Sequence, residues 1–456
     1  MLARLGVILN ALARRWVPDP FVLAIGLTLV ASLLALPRLD WQPMAVVDVW
    51  IHGSGSGKGL WNLLAFGMQM CLILVTGHAL AQTRLVRGGI ERLARLPADT
   101  AAAVMLVSVV AMALAYVNWG LGLIGGALLA REVGRVARRD GRPLHYPLVC
   151  AAGYCGLMVW HGGFSGSAPL MSTTESGMVK ILGEDLAARV GTLPLGATVG
   201  STLNLVVTAS CFVVVPLLLA ALVPRDESSF VAAPAEIDDE DEAFEDEDQP
   251  GLAGVLNRSA FVVAIPVLLG TAWLVRFFLD GGLARLDPNV VNLAMLTLGL
   301  ALHGSAKAYV AAIDRAVRGC SGIILQFPLY AGIMGIMAGS GLIESAAAAL
   351  NGLGPGALAV ATFYLGGAVN LFVPSGGGQW AVQGPVVMEA ALQAGAEPGR
   401  ILMALAYGDQ WTNMVQPFWA LPLLGICRVS AGSLIGYTAV ILLAAQFVFV
   451  LPLVIM

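Results

Sequence analysis

The chain has 456 residues, of which 58% are hydrophobic and 12% charged, with a mean hydropathy of +0.82. A soluble domain is about 45–50% apolar and about 25% charged, so the composition excludes a soluble enzyme, a disordered chain and a nucleic-acid binder. The net charge of −4 hides two populations: ten acids fall between Glu236 and Asp248, and the rest of the chain is net basic.

A membrane span takes roughly 20 apolar residues. The chain offers such stretches near 20–37, 60–82, 146–170, 200–223, 258–279, 289–305, 320–343, 400–425 and 433–456. Two further stretches, 101–130 and 357–393, are apolar but broken. Residues 2–16 alternate apolar and basic character, which predicts an interfacial helix. The six cysteines sit in or beside apolar stretches and show no CxxC or zinc-type spacing, so they read as small buried groups. No cleavable signal peptide is evident after the N-terminal arginines.

Basic residues orient the spans, because loops rich in Lys and Arg stay cytoplasmic. Arg4, Arg14 and Arg15 place the N-terminus inside, as do the loops 84–95 and 131–142 with nine arginines between them. The stretch 101–130 between those loops must then leave and return on one side. It predicts a re-entrant helical hairpin, broken at Tyr116–Gly120. The stretch 357–393 repeats the pattern, broken at VPSGGGQW (373–380). The loop before it, 344–356, holds Glu344 and no bases, which puts it outside. The two hairpins therefore open to opposite sides. The acidic run falls in a linker, 224–257, expected to be cytosolic and solvated.

The halves also match in sequence. Ala115–Asn118 resembles Gly367–Asn370, Gly153-Tyr154-Cys155 resembles Ala406-Tyr407-Gly408, and GGFSGSAPL (162–170) pairs with VQPFWALPL (415–423). The expected fold is an all-α polytopic membrane protein of two inverted repeats, each with a re-entrant hairpin and a broken helix. Residues 1–223 form the first repeat, 258–288 a connecting span and loop, and 289–456 the second repeat. This is the pattern of a secondary transporter.

A helix broken inside a membrane exposes N–H groups at one new end and C=O groups at the other. The N-terminal end suits a carboxylate and the unwound carbonyls suit a cation. Four interruptions are read: Asn118–Gly122, Gly162–Pro169, Pro374–Gly378 and Gly408–Pro417. They hold Gly, Ser, Asn and Gln but no Arg or Lys, which suits a small, singly charged organic anion. The candidate substrate contacts are Asn118, Trp119, Gly120, Gly163, Ser165, Ser167, Asn370, Ser375, Gly376, Gly377, Gly378, Gln379, Thr412 and Asn413. Asp409 is the one carboxylate in these segments. A carboxylate at membrane depth is costly and reads as functional, so Asp409 is the candidate site of H+ or Na+ coupling. A structural pairing with a buried donor is its alternative. His161 and His78 are further proton candidates. His52, His145 and His303 read as peripheral, and Lys307 and Arg315 as loop charges.

The motifs RWVPDPF (15–21), WNLLAFGMQM (61–70), VTGHALA (75–81), GGFSGS (162–167), QFPLYAGI (326–333), VPSGGGQW (373–380), AYGDQW (406–411) and QPFWALP (416–422) resemble the short-chain fatty acid transporter family. The acidic loop and residues 171–199 lie outside the resemblance. The family implies uptake of butyrate- or acetoacetate-like monocarboxylates across a bacterial inner membrane. It is similar to the ion transporter superfamily, which implies an elevator-type carrier using its hairpin tips for substrate and cation. By that resemblance Asn118 and Ser375–Gly378 line the site, and a coupling Na+ sits at the tips with Asn118 and Asn370 beside Asp409. No other metal or cofactor is implied. Two positions depart from the expected pattern: His161, where Gly is expected, and Asp409, where Glu is expected. The sequence leaves a monomer and a homodimer open.

Other readings compete. A dicarboxylate would want a cationic side chain that the interruptions lack, whereas an amino acid could place its ammonium on Asp409. Gly163-Phe164-Ser165-Gly166 fits the G-x-S-G of an intramembrane serine hydrolase, with His78 or His303 as base. A channel is the remaining class, against which the opposed hairpins argue.

Overall fold

A computed structural model describes residues 2–53, 59–237, 251–281 and 287–456, and every regular element among them is helical. In the first half these are α1 (Leu2–Trp16), α2 (Pro20–Ala35), α3 (Pro43–His52), α4 (Leu64–Ala81), α5 (Arg84–Ala94), α6 (Thr100–Val117), α7 (Trp119–Arg139), α8 (Tyr146–Tyr154), α9 (Ser167–Met171), α10 (Glu175–Leu182), α11 (Glu184–Val190) and α12 (Thr202–Ala221). The second half has α13 (Gly251–Arg258), α14 (Ala260–Leu279), α15 (Pro288–His303), α16 (Ala306–Ala316), α17 (Ser321–Gly339), α18 (Leu342–Ala348), α19 (Pro355–Asn370), α20 (Gly376–Ala394), α21 (Pro398–Thr412), α22 (Pro417–Cys427) and α23 (Ala431–Ile455). Seven helical segments among the described residues are long and apolar enough to cross a membrane.

Local sequence sets the helix starts. Asp19 precedes Pro20 and accepts from the Phe21 N–H at 2.8 Å, and Asp99 accepts from Ala102 N–H at 2.8 Å. Such side-chain caps satisfy N–H groups that a helix leaves unpaired at its start. Pro at the first helical position adds a preset φ.

The nine expected spans correspond to helices, and both broken stretches fold as helix pairs. Helix α6 folds back on α7, and α19 packs on α20. Each hairpin lies against the interrupted helix that follows it: α6 and α7 on α8, α19 and α20 on α21. The second part of each interrupted helix crosses to the other half, α9 onto α20 and α22 onto α7. The outer helices cross in the same reciprocal way, α2 onto α17 and α4 onto α15. Glycine permits the closest contact. A Cβ on Gly153 would stand 2.6 Å from Gly126 O, and Gly126 abuts Gly153 O in return, so α7 and α8 meet backbone to backbone.

Several expectations need correction. Residues 84–95, expected as a loop, form the amphipathic α5, because Val86, Ile90 and Leu93 fall on one helical face. The loop expected at 131–142 is the end of α7, which continues to Arg139 because no proline interrupts it before Pro143. The first hairpin thus covers 100–139, and α6 alone has the length of a span. Lys307 and Arg315 lie on α16, not in a loop, and Arg315 donates to Gln82 Oε1 at 2.7 Å. His145 is buried rather than peripheral and bonds Tyr437 Oη at 2.7 Å. The linker is not wholly loose. Arg131 donates to Ile237 O at 2.8 Å and Tyr146 N–H to Val231 O at 2.9 Å, so its start is docked on α7 and α8. Its end is helical as α13, while residues 238–250, with most of the acidic run, lie outside the described residues.

Candidate substrate and coupling site

The first hairpin turns on one residue. Asn118 is extended (φ −154°, ψ 127°) and its Oδ1 accepts from Gly120 N–H at 2.9 Å and Leu121 N–H at 3.3 Å, capping α7. Its Nδ2 is buried without a hydrogen-bond partner. Trp119 N–H donates to Ser165 Oγ at 2.9 Å, which ties this tip to the first interrupted helix. Gly163 packs on Tyr116 O, where a Cβ would not fit. Replacing Asn118 by Ala is expected to cost about 1 kcal/mol through the lost cap, read as a lower unfolding midpoint that Asn118→Asp largely restores.

The second tip differs from the sequence reading. The sequence puts the break at Pro374–Gly378, yet Gly376, Gly377 and Gly378 form the first turn of α20, and the unwound residues are Leu371–Ser375. Glycine disfavours helix interiors, but a first turn needs fewer internal bonds. Ser375 Oγ caps it by accepting from Gly378 N–H at 3.2 Å. Among the described residues the N–H groups of Gly376 and Gly377 have no acceptor.

The second interrupted helix also differs. Gly408, Asp409 and Thr412 are helical, and the break is confined to Asn413–Gln416. Asp409 is fully buried on the last turns of α21. Its Oδ2 lies 2.6 Å from His161 Nδ1, a close approach that is not aligned as a straight hydrogen bond. His161 Nε2 accepts from Ala168 N–H at 3.2 Å. A nitrogen that accepts carries no proton, so the imidazole holds its proton on Nδ1, facing the carboxylate. With Asp409 as a carboxylate the pair would take up one further proton or a cation, and Asp409 Oδ1 has no protein partner. Trp160 stacks on His161 at 4.4 Å.

The tip of the second hairpin closes on this pair. A Cβ at Gly376 would lie 2.6 Å from His161 Cε1, 2.8 Å from Asp409 Oδ2 and 2.9 Å from Trp160 Cη2. At Gly377 the nearest atom would be Ser167 Cβ, at 3.6 Å. Gly376→Ala is therefore expected to slow transport by roughly tenfold or more, as about 1.4 kcal/mol of misfit suffices. Gly377→Ala should stay near wild type. Initial uptake rates of the two variants at equal expression check the contrast.

Neutral amides knit the remainder together. Asn370 Nδ2 donates to Asp409 O (2.9 Å), Thr412 Oγ1 (3.0 Å) and Asn413 Oδ1 (2.8 Å). Asn370 Oδ1 and Asn413 Nδ2 are left unpartnered. Gln379 instead points into its own hairpin, donating to Gly366 O at 2.6 Å and Gln383 Oε1 at 2.8 Å. Sequence reasoning missed four residues here. Gln410 Oε1 accepts from His161 N–H (3.1 Å) and Gly162 N–H (3.2 Å). Gln416 Nε2 donates to Asn370 O at 3.0 Å, and Tyr154 Oη to Asn413 O at 2.7 Å. Asn204 Nδ2 donates to Gly162 O at 2.8 Å. Gln410 and Gln416 lay within a quoted motif; Tyr154 and Asn204 carried no charge or break to mark them.

Long apolar helices around interrupted helices that meet at a buried polar centre define a multi-pass membrane transport protein. The profile of the family described as short chain fatty acid transporter matches residues 1–456, including 171–199 and the acidic loop, which the motif resemblance left out. An Escherichia coli (strain K12) protein named as a candidate short-chain fatty acid transporter is 38% identical over 99% of both chains. A Haemophilus influenzae protein of the same name is 36% identical over 98% of this chain and 99% of its own. The chain belongs to the short-chain fatty acid transporter family. This sets aside the serine hydrolase reading, since the family consists of transporters. Ser165 instead serves as a hydrogen-bond acceptor for the first hairpin. Among solved structures, the YdaH transporter of Alcanivorax borkumensis aligns with a TM-score of 0.44 and 18% identity, covering 96% of this chain and 98% of that one. MtrF of Neisseria gonorrhoeae aligns at 0.41 and 14%, covering 95% of each. Neither likeness is close enough to support an argument.

Proposed function

We propose that the protein is a secondary active carrier of short-chain monocarboxylates in a bacterial inner membrane, with the N-terminus and acidic loop in the cytoplasm. The single observation that carries the mechanism is the buried Asp409–His161 pair beneath the tip of the second hairpin. A buried net charge is unfavourable unless a counter-charge joins it. A coupling cation supplies that charge, and Asp409 Oδ1 is the open position for it. A proton fits this position with no further ligands, so H+ is the preferred coupling ion. Na+ is the alternative and would need additional oxygen donors, such as Asn370 Oδ1.

The substrate carboxylate sits at the free N–H groups of Gly376 and Gly377, where the N-terminus of α20 favours an anion. Ser167 adjoins Gly377. The exposed Phe164 ring, edge-on to Tyr116 at 5.2 Å, offers apolar surface to a short alkyl tail. The reciprocal packing of hairpins and interrupted helices supports two inverted repeats, and alternating exposure of the tips gives an elevator-type cycle. Competition tests the substrate class. Labelled butyrate uptake into proteoliposomes should be displaced by acetoacetate and not by succinate or neutral amino acids. Displacement by succinate or an amino acid instead would refute the monocarboxylate assignment.

A further inference from the structure

We propose that a basic cavity between α1, α17 and the α22–α23 turn holds the phosphate headgroup of an anionic phospholipid. The cavity measures about 740 Å³ and is lined by Arg14, Arg318 and Arg428, from three separate parts of the chain. All three side chains are exposed, and none has an ion-pair partner among the described residues. The one acid in the lining, Asp19, is engaged by the Phe21 N–H at the start of α2. With Asp19 the lining carries a net charge of +2, which an anion in the cavity balances. Guanidinium favours phosphate, which it binds with two parallel hydrogen bonds.

The flank of the cavity specifies a lipid rather than a free anion. Leu325 lines the cavity and is 54% exposed, and Ile324 beside it is 64% exposed. Phe21 also lines it and leads to Val22 and Ile25 on α2, about half exposed. Helices α2 and α17 pack together, so their outer faces give an apolar strip below the arginines along which acyl chains can lie. Basic pockets between membrane helices on the cytoplasmic side are suited to acidic headgroups. Arg428 ends α22 in the left-handed conformation common at helix C-termini (φ 55°) and lines the cavity.

The test uses the purified full chain in detergent. Its unfolding midpoint is followed on adding phosphatidylglycerol, phosphatidylethanolamine, glycerol 3-phosphate or butyrate. The variant combines Arg318→Gln with Arg428→Gly, because glycine accepts the left-handed backbone without strain. Arg318→Gln alone serves if the double variant does not fold. Phosphatidylglycerol should raise the wild-type midpoint by at least about 2 °C, phosphatidylethanolamine should not, and the variant should lose the rise. No rise, or an equal rise in the variant, would overturn the site. An equal rise with glycerol 3-phosphate would make it a site for free phosphate esters, and an arginine-dependent rise with butyrate would make it a substrate vestibule. Both results would overturn the lipid assignment. None of these outcomes depends on the coupling mechanism.

Discussion

Asp409→Asn is expected to abolish concentrative uptake while leaving carrier-mediated exchange in place. The substitution is nearly isosteric, and an amide oxygen can still face His161 Nδ1, which lies 2.6 Å from Asp409 Oδ2. What it removes is the charge that a coupling proton would neutralise. One pH unit is worth about 1.4 kcal/mol per proton. A carrier moving one proton with each substrate can therefore hold about a tenfold gradient per pH unit. Wild type should approach that ratio in proteoliposomes, and Asp409→Asn should equilibrate labelled substrate to a ratio near one. Counterflow, in which internal unlabelled butyrate drives entry of label, should persist. Concentrative uptake by the variant at the wild-type ratio would remove Asp409 from coupling.

The second large effect concerns the fit of the pair. Asp409 and His161 are both fully buried, with Gly376 and Trp160 around them. Asp409→Glu adds a methylene where no space exists, and overpacking of this kind costs about 1–3 kcal/mol. His161→Gly removes a fully buried ring and leaves a cavity beside Asp409, at about 3–5 kcal/mol. Combined, the two changes compensate, because the longer acid occupies the volume the imidazole vacates. The double variant should be more stable than the sum of the single effects allows, with a coupling of about 1–3 kcal/mol. Unfolding midpoints of the four proteins measure it. Strict additivity would mean that the two side chains do not share one space.

This pair shows what was legible in the sequence. His161 and Asp409 were the two departures from the expected family pattern, 248 positions apart, and the structure makes them contact partners. Their separate oddity was readable; their pairing was not, because it depends on how the two interrupted helices cross. The spans were readable because long apolar runs leave few alternatives. The breaks were readable in place but not in extent: the one read from Gly408 begins at Asn413, and the one read through Gly122 is confined to Asn118. Gly376–Gly378 was misassigned because propensity opposes glycine in a helix, while the local requirement at Gly376 was room against His161. Helix α5 was missed because arginine density marked a loop, although its apolar residues carry helical spacing. Gln410 and Gln416 show the limit of charge-based reading. Neutral amides hold the two unwound segments together, yet nothing local distinguishes them from surface glutamines.

The most direct measurement is uptake of radiolabelled butyrate into proteoliposomes, with pH and Na+ gradients imposed separately. Accumulation driven by the pH gradient alone, and absent in Asp409→Asn, is the predicted result. Accumulation driven only by Na+, or no accumulation under either gradient, would contradict proton coupling through Asp409 and His161.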